Sequence, residues 1–241
     1  MILKTVFVLL FIITAAFSSD SAFTDYSALL QKYVCQSGVV YSKIVKDTSL
    51  IRLIINSFSN VSKKEYDALS KSDKIAFLIN MYNFYTIVLI KNNYPTESIR
   101  KIKNPWTRKF IPLWGEQVSL DYLEHGILRK QFNEPRIHFV LVCASKACPP
   151  LSNSAYTGAK LDQQLDTAAN AFLNDKTRNR VENNTLFLSK IFEWYGDDFK
   201  QKYGGYKNYV ITVLGLKGKY GVKFLDYDWS LNDVSNCPGE L

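Results

Sequence analysis

The sequence predicts an α+β fold, a helix-rich single domain around a small, mostly antiparallel sheet. Helical patterns of apolar residues outnumber strand-like runs, and the strands come as pairs around the turn signals Gly115-Glu116 and Asn183-Asn184. No internal repeat and no linker-like stretch divides the 241 residues. With 47% apolar and 22% charged residues, such a chain buries a core without help from a metal, which excludes disordered and low-complexity classes.

The first 18 residues resemble a secretory signal. Lys4 precedes Thr5–Phe17, a run without charges that is shorter than the roughly 20 residues needed to cross a bilayer. Ala16 and Ser18 are the small residues that a signal peptidase requires at the −3 and −1 positions, so we expect cleavage after Ser18. The alternatives are cleavage after Ala22 and an uncleaved anchor. We therefore expect an exported protein, periplasmic or secreted, with a leader at 1–18 and its folded domain at 24–235.

The elements follow from the spacing of apolar residues and from capping and turn residues. Helices are predicted at Phe23–Tyr33, 48–58, Asp73–Lys91, Ser119–Gln131, Leu161–Leu173, 189–195 and Tyr206–Leu214. Strands are predicted at Val39–Tyr41, Phe110–Trp114, Gln117–Ser119, Arg136–Val142, Arg180–Glu182, Thr185–Leu188 and Val222–Leu225. Apolar on both faces, the run 136–142 is typical of a central strand.

The helix Asp73–Lys91, with Ser72 as its cap, is apolar on most sides, which indicates that it is buried. Asn80 and Asn83 lie three residues apart on one of its faces. A buried amide without a partner costs about 1–3 kcal/mol, so both need hydrogen bonds. They either bind neighbouring backbone or form a polar spot that faces a cleft.

Four cysteines allow three disulfide pairings. One pairing joins Cys35 to Cys237 and Cys143 to Cys148, and its long loop would contribute at most about 5 kcal/mol. In the alternative, Cys143 or Cys148 stays reduced because it performs chemistry. The spacing C-x4-C is typical of neither zinc sites nor thioredoxin-like motifs, so we expect no metal and no cofactor.

Any Cys–His site must use His125 or His138, the only two histidines of the chain. In a regular strand Arg136–Val142, His138 and Cys143 would lie on opposite faces and meet only if the strand bends. Adjacent helical positions point about 100° apart, so Glu124 is not expected to orient His125. It could instead orient His138 or bind backbone.

Basic residues exceed acidic ones, with a net charge of +8, or +7 after the leader with Lys4 is removed. The basic residues are scattered, and neither a basic stripe nor a known nucleic-acid module is present. We therefore expect no nucleic-acid partner and no specific membrane binding beyond the leader. The expected partner is a small-molecule or peptide ligand of unknown identity.

Several motifs resemble the domain-of-unknown-function 547 family, in the order that the family has them. They are AFLINMYN at 76–83, LDYLEHGILR at 120–129, RIHFVLVC at 136–143, CPPL at 148–151, LSKIFEWY at 188–195 and YDWSLN at 227–232. The resemblance implies an exported bacterial type, because the leucine-zipper region of plant members is absent, and it implies no established reaction. The family pattern carries Asn80, Glu124, His125, His138, Cys143 and Cys148, whereas Cys35 and Cys237 lie outside it.

Two main hypotheses follow, and a third is weaker. In the first, an exported thiol hydrolase or acyl transferase, Cys143 attacks a carbonyl, His125 or His138 is the base, and Glu124 or Asn80 orients the base or supports an oxyanion. In the second, a non-catalytic binding module, a Cys143–Cys148 disulfide braces a loop. The third is thiol–disulfide exchange by the same cysteine pair.

Overall fold

The computed structural model of the chain describes residues 18–237, with side chains from residue 23 onward. The predicted leader at 1–18 lies outside these residues except for Ser18, where the first helix begins. The described part is helix-rich, with short strands, and it has the predicted α+β class. Its segments surround one long buried helix.

The helices and strands are short apart from four longer helices of 12 to 22 residues. The α-helices are α1 Ser18–Tyr33, α2 Tyr41–Ile44, α3 Thr48–Ser59, α4 Lys63–Ala68, α5 Lys71–Asn92, α6 Arg129–Gln131, α7 Leu161–Asn174, α8 Ile191–Tyr195, α9 Lys200–Tyr203 and α10 Tyr206–Val213. A π-helix spans Tyr122–Leu128, and 3-10 helices span Ile99–Lys101, Pro135–Phe139, Gly158–Lys160 and Gly196–Phe199. The strands are β1 Val34–Cys35, β2 Gly38–Val39, β3 Ile111–Leu113, β4 Glu116–Val118, β5 Arg180–Glu182, β6 Thr185–Leu188 and β7 Gly221–Phe224.

Helix α5 is the centre of the fold. Every residue from Ile75 to Ile90 is buried, as its apolar character predicts. The helix begins two residues earlier than predicted, because the Ser70 hydroxyl, and not that of Ser72, accepts a hydrogen bond from the Asp73 N–H at 3.1 Å. Helices α1, α2 and α7 pack against α5.

The strands form three small sheets and not one. Strands β1 and β2 pair antiparallel, as do β3 and β4. In the third sheet β6 pairs antiparallel with β5 and parallel with β7. Both predicted hairpins are confirmed, and Asn183 and Asn184 adopt the positive φ angles that a tight hairpin turn requires.

The predicted central strand at 136–142 is wrong. Pro135 begins a 3-10 helix that runs to Phe139, and the Glu134 carboxylate accepts the Arg136 N–H at 3.2 Å. The backbone that follows bonds to a side chain in place of a strand partner. Asn83 donates to the Val140 carbonyl at 2.8 Å and accepts from the Val142 N–H at 2.9 Å. The apolar run 136–142 is therefore buried irregular backbone and not a strand, because Asn83 of α5 supplies the hydrogen bonds that a neighbouring strand would provide.

The buried Arg136 guanidinium joins this segment to α7. It forms ion pairs of 2.6–2.7 Å with Glu134, Asp162 and Asp166. Three carboxylates around one guanidinium satisfy its donors, which a buried charge requires. The 3-10 helix is therefore held in one position, with His138 near its end.

The described C-terminal segment packs back onto the N-terminal hairpin. The Val39 N–H donates to the Asn232 carbonyl at 2.9 Å, and the Tyr94 hydroxyl donates to the Asp233 carboxylate at 2.8 Å. A disulfide joins Cys35 to Cys237, with the two Cα atoms 5.6 Å apart. The two ends of the described chain are thereby linked.

Candidate functional site

The described residues form a first hydrophobic cluster around α5 and a second one built from α7, β6, α8 and α10. A cleft of about 500 Å³ lies where the two clusters meet. Tyr82 and Leu141 of the first cluster line it, and so does Ile191 of the second. The volume is within the range of small-molecule pockets, which is roughly 300–1,000 Å³. Of the residues proposed from sequence, the cleft brings together Glu124, His125, His138, Cys143 and Cys148.

Glu124 and His125 both line the cleft because the helix that carries them is π-helical. The Arg129 N–H donates to the Glu124 carbonyl, five residues earlier, which is the π-helical pattern. More residues per turn reduce the angle between successive side chains. The two neighbours therefore face the same space, which a regular α-helix did not predict, and His125 Nδ1 lies 4.0 Å from a carboxylate oxygen of Glu124.

Glu124 is the buried acid of the site, with a side chain that is only 7% exposed. It faces the phenols of Tyr82 and Tyr195. Burial first, and the Glu124 carboxylate second, raise the pKa of both phenols well above the usual value. Both tyrosines consequently stay protonated at neutral pH beside the carboxylate.

His138 belongs to a His–Asp–Arg cluster. Its Nε2 lies 2.7 Å from Asp198, and the imidazole, 1% exposed, stacks on Tyr195 with ring centres 4.0 Å apart. Arg129 donates two hydrogen bonds of 2.6 and 2.8 Å to the same carboxylate. Burial opposes ionisation of Asp198, but the hydrogen bonds from Arg129 and His138 outweigh it and hold its pKa well below the usual range.

The hydrogen-bond partners of the two histidines show whether one nitrogen of each imidazole acts as a donor or as an acceptor. An ionised carboxylate only accepts, so His138 Nε2 carries the proton that points to Asp198. A guanidinium only donates, so His125 Nδ1 accepts from Arg129 Nη1 at 3.0 Å. Neither of these two nitrogens is available to a ligand.

Asp198→Asn is expected to lower the free energy of unfolding at neutral pH by about 1–2 kcal/mol, since the partly exposed Arg129 and the buried His138 lose their anionic partner. Because the folded-state pKa is depressed, this stabilisation is complete above the ordinary Asp pKa of about 3.9. It is lost as the pH falls through the folded value. Urea unfolding from about pH 7 down to about pH 1.5 should show the wild-type advantage shrinking below about pH 4, as the pH approaches the folded-state pKa.

The control is Asp197→Asn, which changes an exposed neighbour paired with Lys200. It should alter the unfolding free energy by less than about 0.5 kcal/mol at any pH in the series. A wild-type advantage over Asp198→Asn that stayed constant into acid would contradict the assigned ionisation.

Cys143 and Cys148 form a disulfide in the wall of the cleft, with Cα atoms 6.3 Å apart. Cys148 Sγ accepts the Cys143 N–H at 2.9 Å and the Tyr227 hydroxyl at 3.2 Å. Burial raises the pKa of Tyr227 to about 12, so this hydroxyl remains a donor. In the described part of the chain, no hydrogen bond joins an imidazole to either sulfur.

Next to the disulfide, the cleft has an aromatic wall made of Trp106, Trp194, Tyr227 and Trp229. Trp194 stacks on Trp229 with ring centres 5.7 Å apart, and Tyr227 is tilted against both. Trp194 nevertheless remains 43% exposed, which is unusual for so large an apolar residue. The wall thus presents aromatic surface to whatever enters the cleft.

Asn80 lies outside the cleft. Its amide donates to the Tyr156 carbonyl and accepts the Tyr156 N–H, both at 2.8 Å, and it is completely buried. These bonds are the backbone-binding alternative considered for the two asparagines, and Asn83 makes the equivalent pair. Among the residues that the structure describes, no group of three or more His, Cys, Asp or Glu is arranged to hold a metal ion.

Sequence reasoning missed several residues of the site, above all Arg129, Asp198, Tyr82 and Tyr195. Arg129 follows His125 by four positions, a helical spacing that indicates contact. Trp194, Tyr195, Tyr227 and Trp229 stand inside the motifs that carry the family resemblance. Asp198 gave no signal, because its partners lie 60 and 69 residues away.

Comparison with known proteins gives one match. No curated protein and no solved structure shows significant similarity to the chain. Residues 66–173, which include α5, the π-helix, His138 and both cleft cysteines, match the model of a protein family. This stretch of the chain is similar to the family described as "Protein of unknown function, DUF547".

Proposed function

We propose that this protein is an exported binding module without hydrolase activity, whose cleft takes a small organic cation. Its charged group would lie at Glu124, and its body would lie against the aromatic wall. The observation that carries the proposal is a nearly buried carboxylate that faces the same cleft as exposed tryptophan. A buried carboxylate is costly unless it is paired, and a cationic ligand would provide the pair.

The distribution of charge supports a cation. The chain carries 30 Lys and Arg against 22 Asp and Glu. Among the described residues that line the cleft, however, there are two carboxylates, Asp121 and Glu124, and neither Lys nor Arg. Arg129 is not among these lining residues and forms an ion pair with Asp198. The cleft therefore has the opposite sign from the molecule as a whole.

The aromatic wall supports the same class of ligand. A cation within about 6 Å of an aromatic face gains roughly 0.5–2 kcal/mol, and tryptophan is the strongest partner. The wall already shows this chemistry, since the Arg100 guanidinium lies 5.3 Å from the ring centre of Trp229. A ligand cation within the cleft would have Trp106 and Trp194 available as well.

Calorimetric titration with choline tests the proposal. Choline is expected to bind at least about tenfold more tightly than its neutral analogue, in which carbon replaces the quaternary nitrogen, because only the cation pairs with the carboxylate and the rings. Glu124→Gln should weaken choline binding by about tenfold, or about 1.4 kcal/mol, and leave the neutral analogue unaffected.

Glu193→Gln is the matched control, since Glu193 is an exposed carboxylate of α8 that pairs with Lys190. This variant should bind choline as the wild type does. Equal binding of choline and its neutral analogue would contradict a cation site. So would equal binding by the two variants, and an absence of choline binding at millimolar concentration would contradict the proposal altogether.

The thiol-hydrolase hypothesis has less support. It requires a free Cys143 thiolate and a nearby base, whereas Cys143 is disulfide-bonded and each imidazole commits one nitrogen to a neighbour. Alkylation with iodoacetamide after mild reduction distinguishes the two functions. Rapid labelling of Cys143 together with hydrolysis of an ester probe would favour the hydrolase over the binding module.

Export is part of the proposal. Two disulfides fit an oxidising compartment, where such bonds persist. No helix within residues 18–237 is long and apolar enough to cross a membrane. N-terminal sequencing of the protein from fractionated cells tests this part, and a cytosolic chain that retains Met1 would contradict it.

A further inference from the structure

The two disulfides of the molecule differ in what surrounds their sulfur atoms. Cys143–Cys148 lies in the cleft wall, where Cys143 is half-buried and Cys148 is buried. Cys35–Cys237 does not line the cleft and joins the N-terminal hairpin to the described C-terminal segment. We propose that Cys143–Cys148 is a redox-active disulfide that accepts electrons from a dithiol entering the cleft.

The first support is the environment of Cys148. When an incoming thiolate attacks the more accessible Cys143 sulfur, the electron pair of the broken bond passes to Cys148. That sulfur already accepts the Cys143 N–H at 2.9 Å and the Tyr227 hydroxyl at 3.2 Å. Burial opposes charge on the Cys148 sulfur, and these two donors offset it. Donors of this kind lower the pKa of a leaving thiol and so accelerate exchange.

The second support is that the loop between the two cysteines is held without the disulfide. Lys146 and Ala147 donate their N–H groups to the carbonyls of Ser230 and Asp228 at 2.9 and 3.1 Å. The Arg178 guanidinium donates to the carbonyls of Lys146 and Cys148 at 2.7 and 2.9 Å. The loop is therefore expected to keep its position when the sulfur–sulfur bond opens.

By contrast, the described surroundings of Cys35–Cys237 supply no backbone N–H donor to either sulfur. Cys35 Sγ lies 3.4 Å from the Ser37 hydroxyl and 3.6 Å from the Gly38 carbonyl oxygen, which is an acceptor. A thiolate at Cys35 would face that oxygen. This pair consequently serves as an internal reference for a structural disulfide.

The reaction balances as two exchanges. A substrate thiolate forms a bond to Cys143 Sγ as the Cys143–Cys148 bond breaks, and Cys148 leaves as a thiolate and takes up a proton. The second thiol of the substrate loses its proton and attacks the mixed disulfide, releasing Cys143. The dithiol is oxidised by two electrons to a disulfide, and the cleft pair is reduced to two thiols.

A redox titration of the mature, full-length protein tests the proposal. The oxidised protein is equilibrated in glutathione buffers of increasing reducing strength and quenched in acid, and free thiols are alkylated and mapped by mass spectrometry. Cys143–Cys148 should open under conditions where Cys35–Cys237 remains closed and the circular dichroism is unchanged. Opening of both pairs together, or opening of the cleft pair only upon unfolding, would overturn the proposal.

The Tyr227→Phe variant tests the role of the hydroxyl and keeps the ring in the aromatic wall. Opening of the cleft pair by dithiothreitol should slow by about tenfold, because the leaving sulfur loses one of its two donors. Tyr220→Phe is the matched control, since its exposed hydroxyl donates to the Lys217 carbonyl three residues earlier and Tyr220 does not line the cleft. Equal opening rates in the two variants would remove Tyr227 from the mechanism. The wild-type titration stands whether or not Tyr227→Phe folds.

Discussion

Replacing Cys35 and Cys237 together by Ser is expected to lower the free energy of unfolding by up to about 5 kcal/mol. The bond joins residues 202 positions apart, so its loss frees the unfolded chain from a constraint on nearly its whole folded length. Urea unfolding under non-reducing conditions measures the effect. We also expect a larger dependence on urea concentration, because the unfolded state of the variant exposes more surface.

The matched control replaces Cys143 and Cys148 by Ser. These residues are five positions apart, and the same entropy argument predicts a loss of only about 2 kcal/mol. Equal losses in the two double variants would show that loop length does not govern the stabilisation. A larger loss from the cleft pair would also contradict the loop-anchoring bonds on which its proposed redox role depends.

The second large effect is expected from Asn83→Ala. Its amide is the hydrogen-bonding partner of the Val140 carbonyl and the Val142 N–H, and both valines are buried. Each main-chain group left without a partner costs about 1–3 kcal/mol, so we expect the free energy of unfolding, measured in urea, to fall by about 3 kcal/mol. Because Val142 directly precedes Cys143, the position of the disulfide in the cleft wall should become less well fixed in this variant as well.

Asn174→Ala is the control for this variant. Asn174 is an exposed residue of α7 whose amide donates to the Asn170 carbonyl at 2.9 Å, so water replaces the lost bond. Its effect should stay below about 0.5 kcal/mol. If Asn83→Ala were no more destabilising than Asn174→Ala, the segment 140–142 would have to be held by packing alone.

Local patterns predicted the elements that depend on neighbours along the chain. The apolar surface of α5 predicted its burial, and Asn183-Asn184 predicted the tight turn between β5 and β6. The same reasoning failed at 136–142, because an apolar run alone does not distinguish a strand from buried irregular backbone. Pro135 and the amide of Asn83 decided the outcome there, and Asn83 is more than fifty residues away.

The candidate site divides in the same way. The order of the motifs indicated the resemblance to the family that residues 66–173 match. The scarcity of polar residues on apolar elements singled out Glu124, both histidines and the cleft cysteines. Only folding showed that a π-helical turn aims Glu124 and His125 into one cleft.

Packing alone brought Asp198 to His138 and Arg129, and it placed the Tyr227 hydroxyl against the Cys148 sulfur. The sequence alone determined which reactive and polar residues are present and which of them are neighbours within a turn or two of the backbone. Which groups meet is decided by contacts between residues that are distant along the chain, and those form only when the buried surfaces close on one another.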